Sequence, residues 1–276
     1  MWRRKDSYFC SVSKIVNSMT PESIKNTEIK ELGATLLHIG ALLLSAGAST
    51  GRTRNTITRI SDSFGYNTEF VINNRTLLLT LSDENNEYFF NSLKRSSPHG
   101  VNFTLLSGIS HLSWEIVEDK LTINQINEQL AKLTALPHYE RWIVLILVGL
   151  AGSSFCRVNG GEALDMLAVF IATFAGLFVR QEATRLRFNL YMCIYFGAFT
   201  ASLIAGGAVK FGMGYTHEQA FATSVLFLIP GVPLINTFSD MIEGNLQNAI
   251  VRGMNGLIIS FAIGLGLLTS MFIYQF

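Results

Sequence analysis

The sequence predicts a small α+β cytoplasmic domain followed by an all-α membrane domain of five transmembrane helices, the fourth broken at Pro230–Pro233. Three observations lead there. Lys/Arg and Asp/Glu number 15 and 14 from Met1 to Arg141, but only six of each from Trp142 to Phe276, so the second half has the composition of a lipid-soluble chain. Apolar residues alternate or recur at helical spacing in the first half, and run in long segments in the second. Finally, the apolar run Val225–Ile229 meets "PGVP" and then resumes, which is unusual where no water can satisfy freed backbone groups. The expected boundaries are a tail over 1–19, the α+β domain over 20–136 and the membrane domain over 137–276.

Taken in order, the basic N-terminus lacks a clean apolar core, because Lys14 and several polar residues interrupt it, so no signal peptide is read there. Thr20 as N-cap, Pro21 at the first helical position and Glu22 in the first turn open a helix. Gly33–Ser49 carries no formal charge, yet it is near the lower length limit for a span and is interrupted by small residues and His38. It is read as a buried helix of the soluble domain, with His38 as a satisfied core histidine. Phe70 and Ile72, a turn at Asn73-Asn74, then Leu77, Leu79 and Leu81 predict a β-hairpin. Val101, Phe103 and Leu105 predict a third strand. Ile109, Leu112, Ile116 and Val117 recur at helical spacing, and the capping box Thr122-x-x-Gln125 opens another helix with Ile123, Ile126, Leu130 and Leu133 on one face.

The spans are expected over about 142–156, 164–179, 189–209, 220–239 and 254–275. The first two look short for a bilayer core about 30 Å thick. Arg180, Arg185 and Arg187 in "VRQEATRLRF", with Arg252, mark one side as basic, against Arg157 and Lys210 on the other. By the positive-inside rule this predicts a multi-pass membrane protein of five spans with a cytoplasmic N-terminus and a C-terminus outside. The small residues Gly197, Ala201, Gly206, Gly207, Gly256, Gly264 and Gly266 are read as points of close helix packing.

A formal charge of +1 gives no reason to expect nucleic acid. Cys10, Cys156 and Cys193 have no ligand spacing, and neither a metal nor a cofactor is called for. No P-loop, HExxH, GxSxG or glycine-rich dinucleotide turn is present, so the chain is not read as an enzyme. The acceptor patterns at Asn74-Arg-Thr76 and Asn102-Phe-Thr104 fall on the expected cytoplasmic side.

The broken span carries the functional expectation. Transporters use such breaks because freed carbonyls and half-helix ends present partial charges to a solute. Pro230, Gly231 and Pro233 are the expected break, and Asn236 and Asp240 share one face if helix resumes. Asp240 is open to three readings: proton carrier, cation contact or cytoplasmic end of the helix. Arg157, beside Gly160 and Gly161, either meets an anionic solute or orients its loop. Asp165 is a helix N-terminal partner or a pore carboxylate, and Arg252 an anion site or a topological charge.

These residues carry a resemblance. "LLLSAGASTGRTRNTITRISDSFGY", "FCRVNGG" and "LIPGVPLINTFSDMIEGNLQNAIVR" resemble motifs of the threonine/serine exporter family. Gly47, Ala48, Thr50 and Arg52 match the first motif, while Thr53 and Arg54 stand where valine and glutamate are usual. Gly160-Gly161, Pro230-Gly231, Asn236, Asp240, Gly244 and Arg252 match the rest. "ERWIVLILVGLAGSSFCRVNGG" and "LFVRQ" look most like the split branch of the family. The resemblance implies the long subunit of a bacterial secondary exporter driven by the proton gradient, working with a smaller membrane subunit. It implies a small carboxylate solute such as succinate, with threonine or serine as the alternative. A membrane-anchored sensor is the competing class, and self-association is left open.

Overall fold

The computed structural model describes residues 21–73, 75–83, 85, 89–97, 100–137, 139–211 and 217–275. Thr20, Cys10 and Asn74, each used in an expectation above, lie outside them. The chain divides into two units: residues up to Leu136 with Phe238–Ala249, and Pro137–Thr237 with Ile250–Phe276.

In the first unit, helix α1 (Pro21–Ser45) carries Ile29, Leu32, Leu36, Ile39 and Leu43 on one face, all fully buried. Their alternating spacing of three and four is the stripe an amphipathic helix turns to a core. The uncharged stretch from Gly33 is therefore the inner face of a core helix. His38 departs from its expected place: it lies on the exposed side of α1, where its Nδ1 is 2.9 Å from Lys94 Nζ. Position 38 falls outside the stripe, so helical phase takes it away from the core.

Helix α2 (Thr50–Ser63) is capped by Ser49, whose side chain accepts the Arg52 N–H. Strands β1 (Asn67–Asn73), β2 (Thr76–Ser82) and β3 (Phe89–Arg95) form one antiparallel sheet in that order. Phe70 pairs with Leu79 and Leu81 with Phe90, so the inward rows meet in register. Helix α1 packs on the sheet where it has no side chain. A Cβ on Gly40 would stand 2.3 Å from Leu77 Cδ2, and one on Gly33 2.2 Å from the Phe90 ring.

The expected strand at Val101–Leu105 is not formed. Asn102 instead caps helix α3 (Phe103–Asp119), its Oδ1 accepting the Leu105 N–H at 3.0 Å. Local capping chemistry wins over a short alternation whose first two members, Val101 and Phe103, are exposed. Helix α4 (Ile123–Thr134) begins at the expected box, with the Thr122 N–H donating to Gln125 Oε1 at 2.9 Å. Ile109, Leu112, Ile116, Ile126 and Leu130 join Leu77, Leu79 and Leu81 in one core. Each such side chain contributes about 1.5–3 kcal/mol on burial.

The second unit holds α5 (Arg141–Val158), α6 (Ala163–Arg185), α7 (Leu190–Lys210) and the short α8 (His217–Thr223). A 3-10 turn over Leu226–Leu228 leads into α9 (Gly231–Ile242), and α10 (Leu246–Tyr274) follows. Among the described residues four helices, α5, α6, α7 and α10, are long and apolar enough to cross a membrane, and five if the bent pair Ala220–Leu228 and α9 is one span. At 1.5 Å per residue, α6 is about 35 Å long and α10 about 44 Å, so the second span is not short. Arg180 and Arg185 accordingly lie inside α6, and Arg187 alone of the three falls in the connection.

Small residues set the helix crossings. A Cβ on Gly176 would stand 2.7 Å from Gly197 O, and one on Gly266 2.8 Å from Ala198 Cβ and from Phe199 N. Gly206 and Gly207 face Tyr274, whose hydroxyl donates to Leu203 O at 2.8 Å, and Gly256 faces Leu234. Gly264 differs from the expectation, since nothing lies within 4 Å of its missing side chain. Leu147, Leu257, Phe261 and Phe272 are exposed, which suits a lipid-facing surface.

Candidate functional site

The break lies at Ile229–Pro230. The Ala220–Leu228 and α9 axes are bent by 64° there. The Leu228 and Ile229 N–H groups donate to Val225 O and Leu226 O, tightening the chain before the buried Pro230, which has no N–H to continue the ladder. The Gly231 N–H then turns back to Ile229 O at 2.8 Å, and the Leu234 N–H to Pro230 O at 3.1 Å starts α9. Pro233 does not extend the break, as the spacing had suggested. It sits in the first turn of α9, where a missing N–H costs nothing because that donor has no intrahelical acceptor. Half-buried Asn236 follows one turn later, on the face that also carries Asp240. On the same unit, α10 passes Leu234 and Thr237 at Gly256 and Gly253, with half-buried Arg252 beside them in sequence.

Asp240 belongs to the first unit, where it is fully buried. Its Oδ1 accepts the Thr50 N–H at 3.0 Å, at the first residue of α2. Asn248 Nδ2 donates to Thr50 Oγ1 at 3.1 Å and to Ile72 O at 2.8 Å, which ties the same corner to β1. Glu243 approaches next door, since a Cβ on Gly51 would fall 2.0 Å from its Oε2. Two carboxylates thus attend one helix N-terminus, where backbone donors and the helix dipole favour negative charge by about 0.3–1 kcal/mol. Gly244, with φ of +79°, makes the geometry possible. It lets the Asn245 N–H reach Asp240 O at 2.7 Å and the Gly244 N–H reach Met241 O, so α9 ends and α10 begins within three residues.

The α5–α6 turn forms a separate group. Gly160, at φ of +91°, closes α5 with its N–H on Arg157 O and the Gly161 N–H on Cys156 O. Arg157 Nη1 donates to Gly161 O at 3.1 Å, and Asp165 Oδ2 accepts the Glu162 N–H at 3.0 Å to open α6. Buried Cys156 fills the space a Gly161 side chain would need. Arg157, Gly160, Gly161 and Asp165 are therefore brought together with one another, as parts of a turn. Elsewhere in the first unit, Glu31, Thr35, His38, Asn124 and Asn127 line an open polar groove between α1 and α4. Desolvation, then the Lys94 charge, holds the His38 pKa below its ordinary value.

Thr50 and Asn248 were missed as site residues by sequence reasoning. Both stand inside the motifs quoted above, but a main-chain donor and a neutral amide give no composition signal.

A family model described as "Putative threonine/serine exporter" matches residues 34–274. The chain belongs to the threonine/serine exporter family. Among curated relatives of this exporter, the protein named "Probable succinate transporter subunit YjjP" of Klebsiella aerogenes is 25% identical over 231 residues, 83% of this chain and 88% of the relative. Its namesake in Escherichia coli is 24% identical over 241 residues, 86% of this chain and 93% of that protein. A "Probable threonine/serine exporter" of Mycobacterium tuberculosis is 27% identical over 176 residues, 62% of this chain but 32% of the relative. No solved structure matches the exporter chain.

Proposed function

We propose that this chain is one subunit of a secondary exporter of small carboxylates, with a dicarboxylate such as succinate as the favoured solute and a smaller membrane subunit as partner. The observation that carries the reading is the 64° bend at Ile229–Pro230 inside an apolar segment. A membrane anchor has no need of such a break, whereas a solute pathway uses the partial charges it uncovers. Ile229 and Pro230 form the break, and Gly231, Pro233, Asn236 and Arg252 follow on the segments packed beside it. Asp240 answers to the cytoplasmic side through its bond to Thr50. In this reading the first unit is cytoplasmic, the C-terminus is outside, and the proton gradient drives efflux across a bacterial inner membrane. Two relatives named as succinate transporter subunits, each matched over more than four-fifths of its length, support the dicarboxylate. The relative named as a threonine/serine exporter keeps hydroxy amino acids as the second reading.

The test is efflux from proteoliposomes preloaded with labelled succinate or labelled threonine, with this chain alone and with its small partner. Succinate efflux that needs both chains is the expected result. Threonine efflux would move the chain to the second reading, and efflux of neither would end both.

A further inference from the structure

Arg141, Arg180 and Arg185 lie toward the same end of the α5–α6 pair, but only two of them meet an acidic partner, Glu182, which they share. Arg141 pairs with Glu182 and donates Nε to Gln181 Oε1 at 2.7 Å, while its guanidinium stacks 4.6 Å from the Phe178 ring. Arg185, largely exposed, reaches the same Glu182 at 3.3 Å. Arg180 stands between them in sequence, and its guanidinium makes no hydrogen bond or ion pair with any described residue.

Its direction differs as well. A Cβ on Gly197 would lie 3.1 Å from Arg180 Cβ and 3.7 Å from Leu228 Cδ2. One turn earlier on the same face, a Cβ on Gly176 would lie 2.7 Å from Gly197 O and 3.2 Å from Phe227 Cζ. The half-buried arginine therefore leaves α6 at its crossing with α7, at the same Gly197 that faces Leu228 of the 3-10 turn delivering the chain to Pro230. Cys193, one turn before Gly197 on α7, is a buried thiol and no counter-ion. Removing a guanidinium from water without a carboxylate to meet it is unfavourable, and ionisable groups in such places mark solute paths. Its planar fork matches a carboxylate in two parallel hydrogen bonds, which a lysine does not reproduce.

We propose that Arg180 is the anchor for a carboxylate of the exported solute, held beside the break at Pro230. This rests on the exporter reading above and adds the residue that recognises the solute's charge. An anion at this end of the helices has a second possible source, the phosphate of a lipid headgroup, and the proposal commits to the solute.

Thermal unfolding of the full chain, alone and with its small partner, tests it with succinate, neutral succinamide and phosphatidylglycerol as probes. Succinate should raise the wild-type midpoint where succinamide does not. Arg180→Met should keep or raise the midpoint without solute, since an unneutralised charge is replaced by an apolar chain of similar length. The same variant should weaken the succinate response at least tenfold. Arg180→Lys should fall between, and Arg185→Gln should respond as wild type. An Arg180→Met protein that loses its own stability, or keeps the succinate response, overturns the proposal. So does a wild type that answers phosphatidylglycerol and not succinate. A wild type that neither binds nor exports succinate or threonine removes the exporter reading itself, and the anchor falls with it. Succinate binding that survives Arg180→Met removes the anchor alone.

Discussion

Thr50 and Asp240 share a hydrogen bond of 3.0 Å although 190 positions separate them in the chain. The donor is the main-chain N–H at the head of α2 and the acceptor is a fully buried carboxylate, so side-chain variation at position 50 leaves the donor in place. Asn248 supplies the second tie to Thr50 through its hydroxyl.

Two substitutions at Asp240 separate anchoring from charge. Asp240→Ala leaves the Thr50 N–H without its acceptor in a buried corner, and should cost about 1–3 kcal/mol of stability. Asp240→Asn keeps an oxygen for that N–H and should remain in the membrane at wild-type level while export falls. Membrane content and succinate efflux measured together check both, and full efflux in Asp240→Asn would make the residue an anchor only.

Gly266 and Gly264 lie one apart from a shared neighbour on α10 and predict opposite outcomes. Gly266→Ala drives a methyl to 2.8 Å from Ala198 Cβ and Phe199 N, one of them main chain, and should cost about 1–3 kcal/mol. Gly264→Ala meets nothing within 4 Å and should be neutral or gain up to about 1 kcal/mol from helix propensity. Thermal melts in detergent compare the two directly.

Asn102→Ala should destabilise the first unit by about 0.5–2 kcal/mol by removing the α3 cap, and Asn102→Asp should restore most of it. Equal stability of the alanine and aspartate variants in chemical unfolding would count against the cap.

His38 gives a pH dependence of defined sign. Its pKa is lowered in the folded protein, so below its ordinary value of 6.5 the unfolded chain binds more protons. Stability should therefore fall as pH drops from 6.5 through the folded pKa, and be retained above 6.5. His38→Asn should flatten that slope. Unfolding midpoints of the two proteins from pH 7.5 to 5 read the difference, and parallel curves would discount the histidine.

The residues show why some elements were legible and others were not. Strands β1 and β2 announce themselves because Phe70, Ile72, Leu77, Leu79 and Leu81 alternate toward one core. Strand β3 hides, because its inward positions are Phe90, Ser92 and Lys94 while Phe89 and Leu93 face out. Tertiary pairing with β2 fixes its register against its own pattern. The break at Pro230 was plain, since proline acts locally. The role of Pro233 depended on where the next helix starts, one residue outside what spacing can resolve. The partners of Asp240 required the fold itself, because neither Thr50 nor Asn248 announces a long-range bond.

The placement of Phe238–Ala249 in the first unit has a consequence for how the protein is made. A ribosome finishes Leu136 well before it reaches Ala249, and the residues between belong to the second unit. At roughly 5–20 residues per second, the nascent first unit waits on the order of ten seconds for the segment that carries Asp240 and Asn248. During that interval the head of α2 has only solvent to meet its leading N–H, and Asp240 arrives only after three long apolar helices have emerged. Completion of the first unit is thus timed by synthesis of the second, so a chain interrupted before Asp240 leaves its earliest-made part without that acceptor.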